Sequence, residues 1–228
     1  MIETAKRVLV VAAHPDDETL GAGGTLALLS RRHGAEVSLA VVSDGSSAQH
    51  GDDMDARNRR NAQMREAADI LGIGKIYHGT FPDMRLETVP HIEINKWLSN
   101  VVEESQCDLV FTHHHGDVNL DHSMVFRSTL VATRPTPGKR VRGVLSYYVG
   151  SSSEWSDPVA HKAFMPNVFV DISDTIDAKI DALNAYVDEI RPAPHPRNAE
   201  TLRAMAQVTG AQAGVPFAEG FVLIRGLF

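Results

Sequence analysis

Between residues 8 and 133, short apolar runs rich in β-branched side chains alternate four times with longer stretches of helical periodicity. The runs at 8–13, 36–42, 75–77 and 109–111 read as strands, and the stretches at 19–33, 55–71, 92–102 and 121–133 as helices. Gly34, Gly72 and the pair Arg134-Pro135 supply helix stops. Parallel strands need crossovers, and helical crossovers cover the sheet, so this order predicts an open, mostly parallel α/β sheet with helices on both faces. The unbroken apolar run at 8–13 suits a strand buried on both sides. Past residue 135 the pattern loosens, with strands at 141–149, 167–172 and 221–224, helices at 175–190 and 199–209, and a proline-rich loop at 191–197. No repeat, low-complexity tract or linker divides the chain, so one domain over 1–228 is expected, with a core at 5–135 and residues 136–228 completing a pocket.

Composition narrows the function classes. Lys and Arg number 22 against 29 Asp and Glu, a net charge of −7, and basic residues cluster no further than pairs such as Arg31-Arg32 and Arg59-Arg60. A nucleic-acid partner is therefore not expected. The lone cysteine, Cys107, can build neither an internal disulfide nor a cysteine-rich zinc site. No run approaches the about 20 apolar residues of a membrane span, and the N-terminal apolar run is too short for a secretory signal. A cytoplasmic protein is expected, with a homo-oligomer left open.

Two clusters of metal-ligating residue types follow predicted strands. One is His14-Pro15-Asp16-Asp17-Glu18, where Pro15 suits a first helical position and a histidine and a carboxylate three residues apart can converge. Its plain alternative is a set of acids complementing a helix dipole. The other runs from Thr112 to His122 and holds His113, His114, His115, Asp117, Asp121 and His122; its plain alternative is a polar loop with Asp121 capping a helix. In open α/β sheets ligands bind beyond the carboxyl ends of the strands, and both clusters sit there. Imidazole with carboxylate favours zinc over a harder, oxygen-loving cation. Gly21-Ala22-Gly23-Gly24 does not open the turn after the first strand, so it reads as close helix packing rather than a dinucleotide loop. Ser151 to Ser153 lack a nucleophile-elbow pattern.

The run Ala13 to Glu18 resembles the hallmark Ala-His-Pro-Asp-Asp-Glu of the PIG-L/LmbE-type N-deacetylases, and Asp117 to His122 resembles the Asp-x-Asn-x-Asp-His segment of one branch. The resemblance continues through Ser151 to Trp155, Pro166 to Asp171, Pro194 to Arg197 and Ala218 to Phe221, nearly the whole chain. It implies a Rossmann-like single domain, zinc held by His14, Asp17 and His122, and Asp16 as general base on the attacking water. Many relatives carry His-Pro-Asp-His, whose first histidine assists the tetrahedral intermediate; here Asn119 stands in its place. His113, His114, His115 or His195 can take over that duty, and His195 joins the catalytic set because Pro194 and Pro196 stiffen its loop, a surface turn being the alternative. Asp121, beside His122, is expected to orient a metal ligand or a substrate group rather than to ligate. Asp44, Arg60, Asn119 and Arg197 are assigned to substrate binding; Arg57 is a weaker candidate.

The implied reaction is hydrolysis of an N-acetyl group on an amino sugar or sugar-linked metabolite, the substrate being free, nucleotide-linked or lipid-linked. Two rivals stand beside it: a metal-dependent phosphoesterase, which would hold two ions, and a decayed nucleotide-sugar-binding domain, suggested by Asn119.

Overall fold

The computed structural model describes residues 2–45, 54–138 and 140–227. Along it run β1 (Arg7–Ala12), α1 (Asp17–Arg31), β2 (Glu36–Ser43), α2 (Met54–Leu71), β3 (Ile73–Phe81), α3 (His91–Ser105), β4 (Leu109–His113), α4 (Leu120–Ala132), β5 (Gly143–Tyr147), β6 (Val168–Asp171), α5 (Ile176–Ala185), α6 (Ala199–Ala213) and β7 (Ala218–Gly226). The strands form one sheet in the order β3-β2-β1-β4-β5-β7-β6. β1 to β5 are parallel, and β7 runs antiparallel between β5 and β6. The expected α/β architecture is the one observed.

Alternation along β1 explains its apolar run. Val8, Val10 and Ala12 join the core beneath α1, α2 and α5, while Leu9, Val11 and Ala13 join the core beneath α3 and α4. The chain leaves β1 toward β2 and β3, then returns to place β4 on the other side. That reversal opens a crevice beyond the carboxyl ends of β1 and β4, the place where open α/β sheets bind ligands. The small residues of α1 are packing devices: a Cβ on Gly21 would lie 2.2 Å from the Tyr147 ring, and one on Gly24 2.7 Å from Ile172.

Three elements differ most in extent from the sequence reading. β3 has nine residues rather than three, because it is an edge strand whose half-exposed side chains break the apolar pattern that reveals buried strands. α5 stops at Ala185, where Tyr186 leaves helical geometry at ψ 60°. β7 extends from Ala218 to Gly226, since pairing on both edges, not local composition, sets its length. Pro15 lies in the turn before α1 rather than in its first helical position.

Candidate metal centre

Immediately after β1 the chain turns sharply, with Asp16 at φ 106° and ψ −25° ahead of α1. A non-glycine residue there is strained, at a cost of about 1–3 kcal/mol. The consequence is that two adjacent carboxylates face different partners. Asp17 accepts the His14 backbone N–H at 2.8 Å, and its oxygens lie 3.5 Å from His14 Nδ1 and 3.3 Å from His122 Nε2. Asp16 instead meets Arg197, Nη1 to Oδ2 at 3.2 Å, and neither of its oxygens is hydrogen-bonded. Both residues are fully buried. Glu18 faces neither: it accepts the Asp16 N–H at 3.2 Å, the Thr19 hydroxyl at 2.8 Å and the Tyr186 hydroxyl at 2.7 Å, fixing the turn.

Donor atoms of His14, Asp17 and His122 all lie within 4.8 Å of one another. Each imidazole is oriented from behind. Asp121 Oδ2 stands 3.0 Å from His14 Nε2, with Asp83 Oδ1 at 3.1 Å, so in a metal-bound form Nε2 would keep its proton and Nδ1 would offer its lone pair on the Asp17 side. Asp117 Oδ2 stands 3.1 Å from His122 Nδ1 and itself accepts the Ser152 and Ser153 hydroxyls at 2.8 and 2.7 Å, which leaves His122 Nε2 facing Asp17. His14, Asp83 and Asp121 form a second group of possible ligands, on the other nitrogen of the same ring. A neutral imidazole offers one lone pair, so the two groups are alternatives. Asp17 Oδ1 in the first group and both Asp83 oxygens in the second are buried without a hydrogen bond, and the first is the one that joins two imidazoles to a carboxylate, the donor set that suits zinc.

The electrostatics follow from this packing. Burial disfavours a charged His14, but hydrogen bonds to Asp121 and Asp17 and the charges of Asp17 and Asp83 outweigh it and push the imidazole up to about 10. His122 is likewise pushed up to about 9 against burial, by Asp17 and Asp117. Burial raises Asp16 to about 7, Arg197 opposing and Asp17 reinforcing.

Of the remaining sequence candidates, Arg197 and His113 adjoin the centre, His113 Nε2 lying 3.3 Å from Asp17 Oδ2, and the others scatter. His113 is buried, its Nε2 accepting the Ala13 N–H at 2.8 Å and its ring stacked on His122 at 3.9 Å. Burial pushes it down to about 4, so it is neutral. His114 and His115 turn away to the carbonyls of Lys162 and His161 at 2.8 and 2.7 Å. His195 packs edge-on to Trp155 and accepts the Arg197 backbone N–H through Nδ1 at 3.1 Å. Asn119 caps α4, accepting the Asp121 N–H at 3.0 Å, the job sequence had offered to Asp121. Asp121 serves His14, not its neighbour His122. Arg60 is buried, with Nη2 3.3 Å from Glu189 and Nη1 3.7 Å from Asp83. Asp44 pairs with Arg57 at 3.3 Å.

Sequence reasoning missed Asp83, Asp117 as the partner of His122, and Glu189. Asp83 follows β3 at the same sheet edge, and a correct β3 boundary would have found it. Asp117 lay within a quoted motif. Glu189 carries no local signal, since only the fold brings it to Arg60 and Arg197.

Comparison with known proteins places this geometry in context. Residues 9–133 match the family model described as PIG-L, GlcNAc-PI de-N-acetylase. An uncharacterized deacetylase of Escherichia coli K12, YaiS, is 29% identical over 79% of this chain and 90% of its own. The diacetylchitobiose deacetylase of Thermococcus kodakarensis is 26% identical over 98% of this chain and 85% of its own. The crystal structure of N,N'-diacetylchitobiose deacetylase from Pyrococcus horikoshii superposes with a TM-score of 0.80 at 26% identity, covering 100% of this chain and 86% of that one.

Proposed function

The chain belongs to the PIG-L (GlcNAc-PI de-N-acetylase) family, and from that premise we propose that it is a zinc-dependent N-deacetylase of an N-acetylated amino sugar, with Asp16 as the general base. The observation that carries this reading is the divergence of two adjacent buried carboxylates: Asp17 lies between two oriented imidazoles, while Asp16 keeps both oxygens free of hydrogen bonds. Zinc held by His14, Asp17 and His122 would supply Lewis acidity, making water more acidic and a carbonyl more electrophilic.

The protein's own groups do the rest. Asp16 takes a proton from the attacking water at a free carboxylate oxygen and returns it to the departing amine. Burial raises this carboxyl in the metal-free protein, and a dication beside it would draw it down again, favouring the ionised form that accepts a proton. Asp121 and Asp117 hold the two imidazoles in the tautomers that leave Nδ1 of His14 and Nε2 of His122 unprotonated. Arg60, Asp44 and Asn119 remain the proposed substrate contacts, and Arg197, beside Asp16, the proposed contact to the reacting amide. Residues 136–228 complete the pocket through Glu189 and Arg197. The diacetylchitobiose deacetylases among its relatives support an N-acetyl sugar as substrate. Among the described residues no helix is long and apolar enough to cross a membrane.

The test is acetate release from a panel of N-acetyl sugars by protein of measured metal content. One zinc per chain, activity lost to a chelator and restored by zinc, and an Asp16→Asn variant that keeps zinc but turns over about 10²–10⁴-fold more slowly are expected. Two tightly held ions per chain, or a fully active Asp16→Asn enzyme, would overturn the reading.

A further inference from the structure

Amide hydrolysis of the kind proposed above builds an anion: water's oxygen bonds to the carbonyl carbon, its proton goes to Asp16, and the π electrons move onto the carbonyl oxygen. Collapse of that adduct breaks the C–N bond, the amine takes the proton, and acetate leaves. A second donor facing that oxygen is commonly worth about 10²–10³ in rate. Position 119, for which the family resemblance implies a histidine with this duty, holds an asparagine committed to capping α4.

None of the neighbouring histidines is placed to substitute. His113 is walled in behind His122, with its Nε2 already accepting the Ala13 N–H. His114 and His115 are turned to backbone carbonyls of the 161–162 loop. His195 touches Trp155 and the Arg197 backbone, and contacts neither Asp16 nor the three proposed ligands.

Arg197 does reach the site. Its guanidinium is held along one edge, Nε donating to Ser151 Oγ at 2.9 Å and Nη1 to Glu189 Oε2 at 2.6 Å, with the same Nη1 3.2 Å from Asp16 Oδ2. Nη2 makes no hydrogen bond among the described residues, and the side chain is 23% exposed, so one corner of the fork is anchored and the other is available. Arg60 is the contrasting case: Nη2 lies 3.3 Å from Glu189 and donates to the Pro15 carbonyl at 3.4 Å, Nη1 faces Asp83, and the side chain is 11% exposed.

We infer that Arg197, delivered by the segment between α5 and α6 and clamped by Glu189 and Ser151, is the donor that stabilises the anionic tetrahedral adduct in place of the missing histidine. The inference rests on the deacetylase reading. It makes Glu189 a positioning residue, because that carboxylate fixes which edge of the guanidinium is spent on the protein. The charge is permanent, so this donor, unlike a histidine, needs no proton from solvent to act.

The experiment sets Arg197→Gln and Arg197→Lys against the parent, all zinc-loaded, with two probes read by calorimetry. N-acetylglucosamine stands for the ground state; its methylphosphonamidate analogue, tetrahedral and anionic, stands for the adduct. The Gln variant is expected to keep its zinc and to bind N-acetylglucosamine within about threefold of the parent, while losing about 10²–10³ both in kcat and in affinity for the phosphonamidate. The Lys variant keeps a charge that can still meet Glu189 but lacks the fork, so it should fall in between, and it carries the test alone if the Gln variant does not fold. Unchanged phosphonamidate affinity in the folded variants overturns the inference. So does an equal loss for both probes, which would make Arg197 an ordinary substrate contact. The phosphonamidate arm does not depend on turnover. Discrimination by Arg197 without acetate release from any sugar would sink the deacetylase reading alone, and turnover without discrimination would sink this one alone.

Discussion

At the scale of single residues, the centre is governed by competition between protons and a cation for two imidazoles. Carboxylates hold His14 up to about 10 and His122 up to about 9, so the metal-free protein carries both as imidazolium at neutral pH. A metal needs a lone pair on each ring. Loading should therefore expel up to about two protons per zinc, and affinity should weaken as pH falls, because more protons must then be displaced. Calorimetric titration at pH 7 in buffers of different ionisation enthalpy measures the number released; zero would contradict the ligand assignment. Asp121→Asn and Asp117→Asn should each weaken zinc binding about 10–100-fold, since each removes the acceptor that fixes one tautomer, and competition with a chromophoric chelator reads the loss. Sequence showed the residue types of this centre well and their pairing poorly. Asp121 adjoins His122 in the chain, but a helical step turns it toward His14, while the oxygen on His122 comes from Asp117, five residues back and braced by serines from another loop. Residue types alone could not say which imidazole each carboxylate serves, and the path of the loop decides it.

At the scale of elements, the alternation of strands and helices was legible because buried parallel strands are apolar on both faces, and the polar, bulged β3 was only half legible because an edge need not be. The register of β3 shifts between Val41 and Ser43 of β2, and a Cβ on Gly79 would stand 2.1 Å from the Val42 carbonyl oxygen, so its glycine reflects close backbone approach rather than an end of the strand. The same logic governs α1. Alanine in place of a helical glycine normally gains up to about 1 kcal/mol. At Gly21 the added Cβ would lie 2.2 Å from the ring of Tyr147, whose hydroxyl donates to the Val11 carbonyl at 2.7 Å and cannot yield without losing that bond. Overpacking of this kind costs about 1–3 kcal/mol, which outweighs the helical gain. Gly21→Ala should thus be destabilised in urea, and a variant as stable as the parent would show that the α1–β5 contact relaxes freely.

At the scale of the whole molecule, α1 of the half that carries the ligands is tied to α5 and β7 of the half that carries Glu189 and Arg197 by hydrogen bonds to the members of a buried ion pair. Lys179 of α5 and Glu219 of β7 meet at 2.5 Å with side chains 4% exposed. Glu219 also accepts the Gly24 and Thr25 backbone N–H groups of α1 at 3.0 and 2.7 Å, and Lys179 donates to the Leu20 carbonyl at 2.8 Å. Three elements from distant parts of the sequence thus share one charged joint, which no local pattern announced: α5 read as an amphipathic helix and β7 as a terminal strand, and their pairing is a consequence of β7 entering between β5 and β6. Burying two charges gains little when both are present, but removing one strands the other, at about 3–5 kcal/mol. Glu219→Gln should therefore lower unfolding free energy by that order, because its amide leaves the Lys179 ammonium uncompensated while still reaching the α1 backbone. Lys179→Met should cost less than Glu219→Gln, since a lone carboxylate keeps two N–H donors. The double variant should recover part of the combined loss, a coupling that a double-mutant cycle in urea measures directly. Additive losses would mean that the two side chains act separately, each through its own hydrogen bonds to α1.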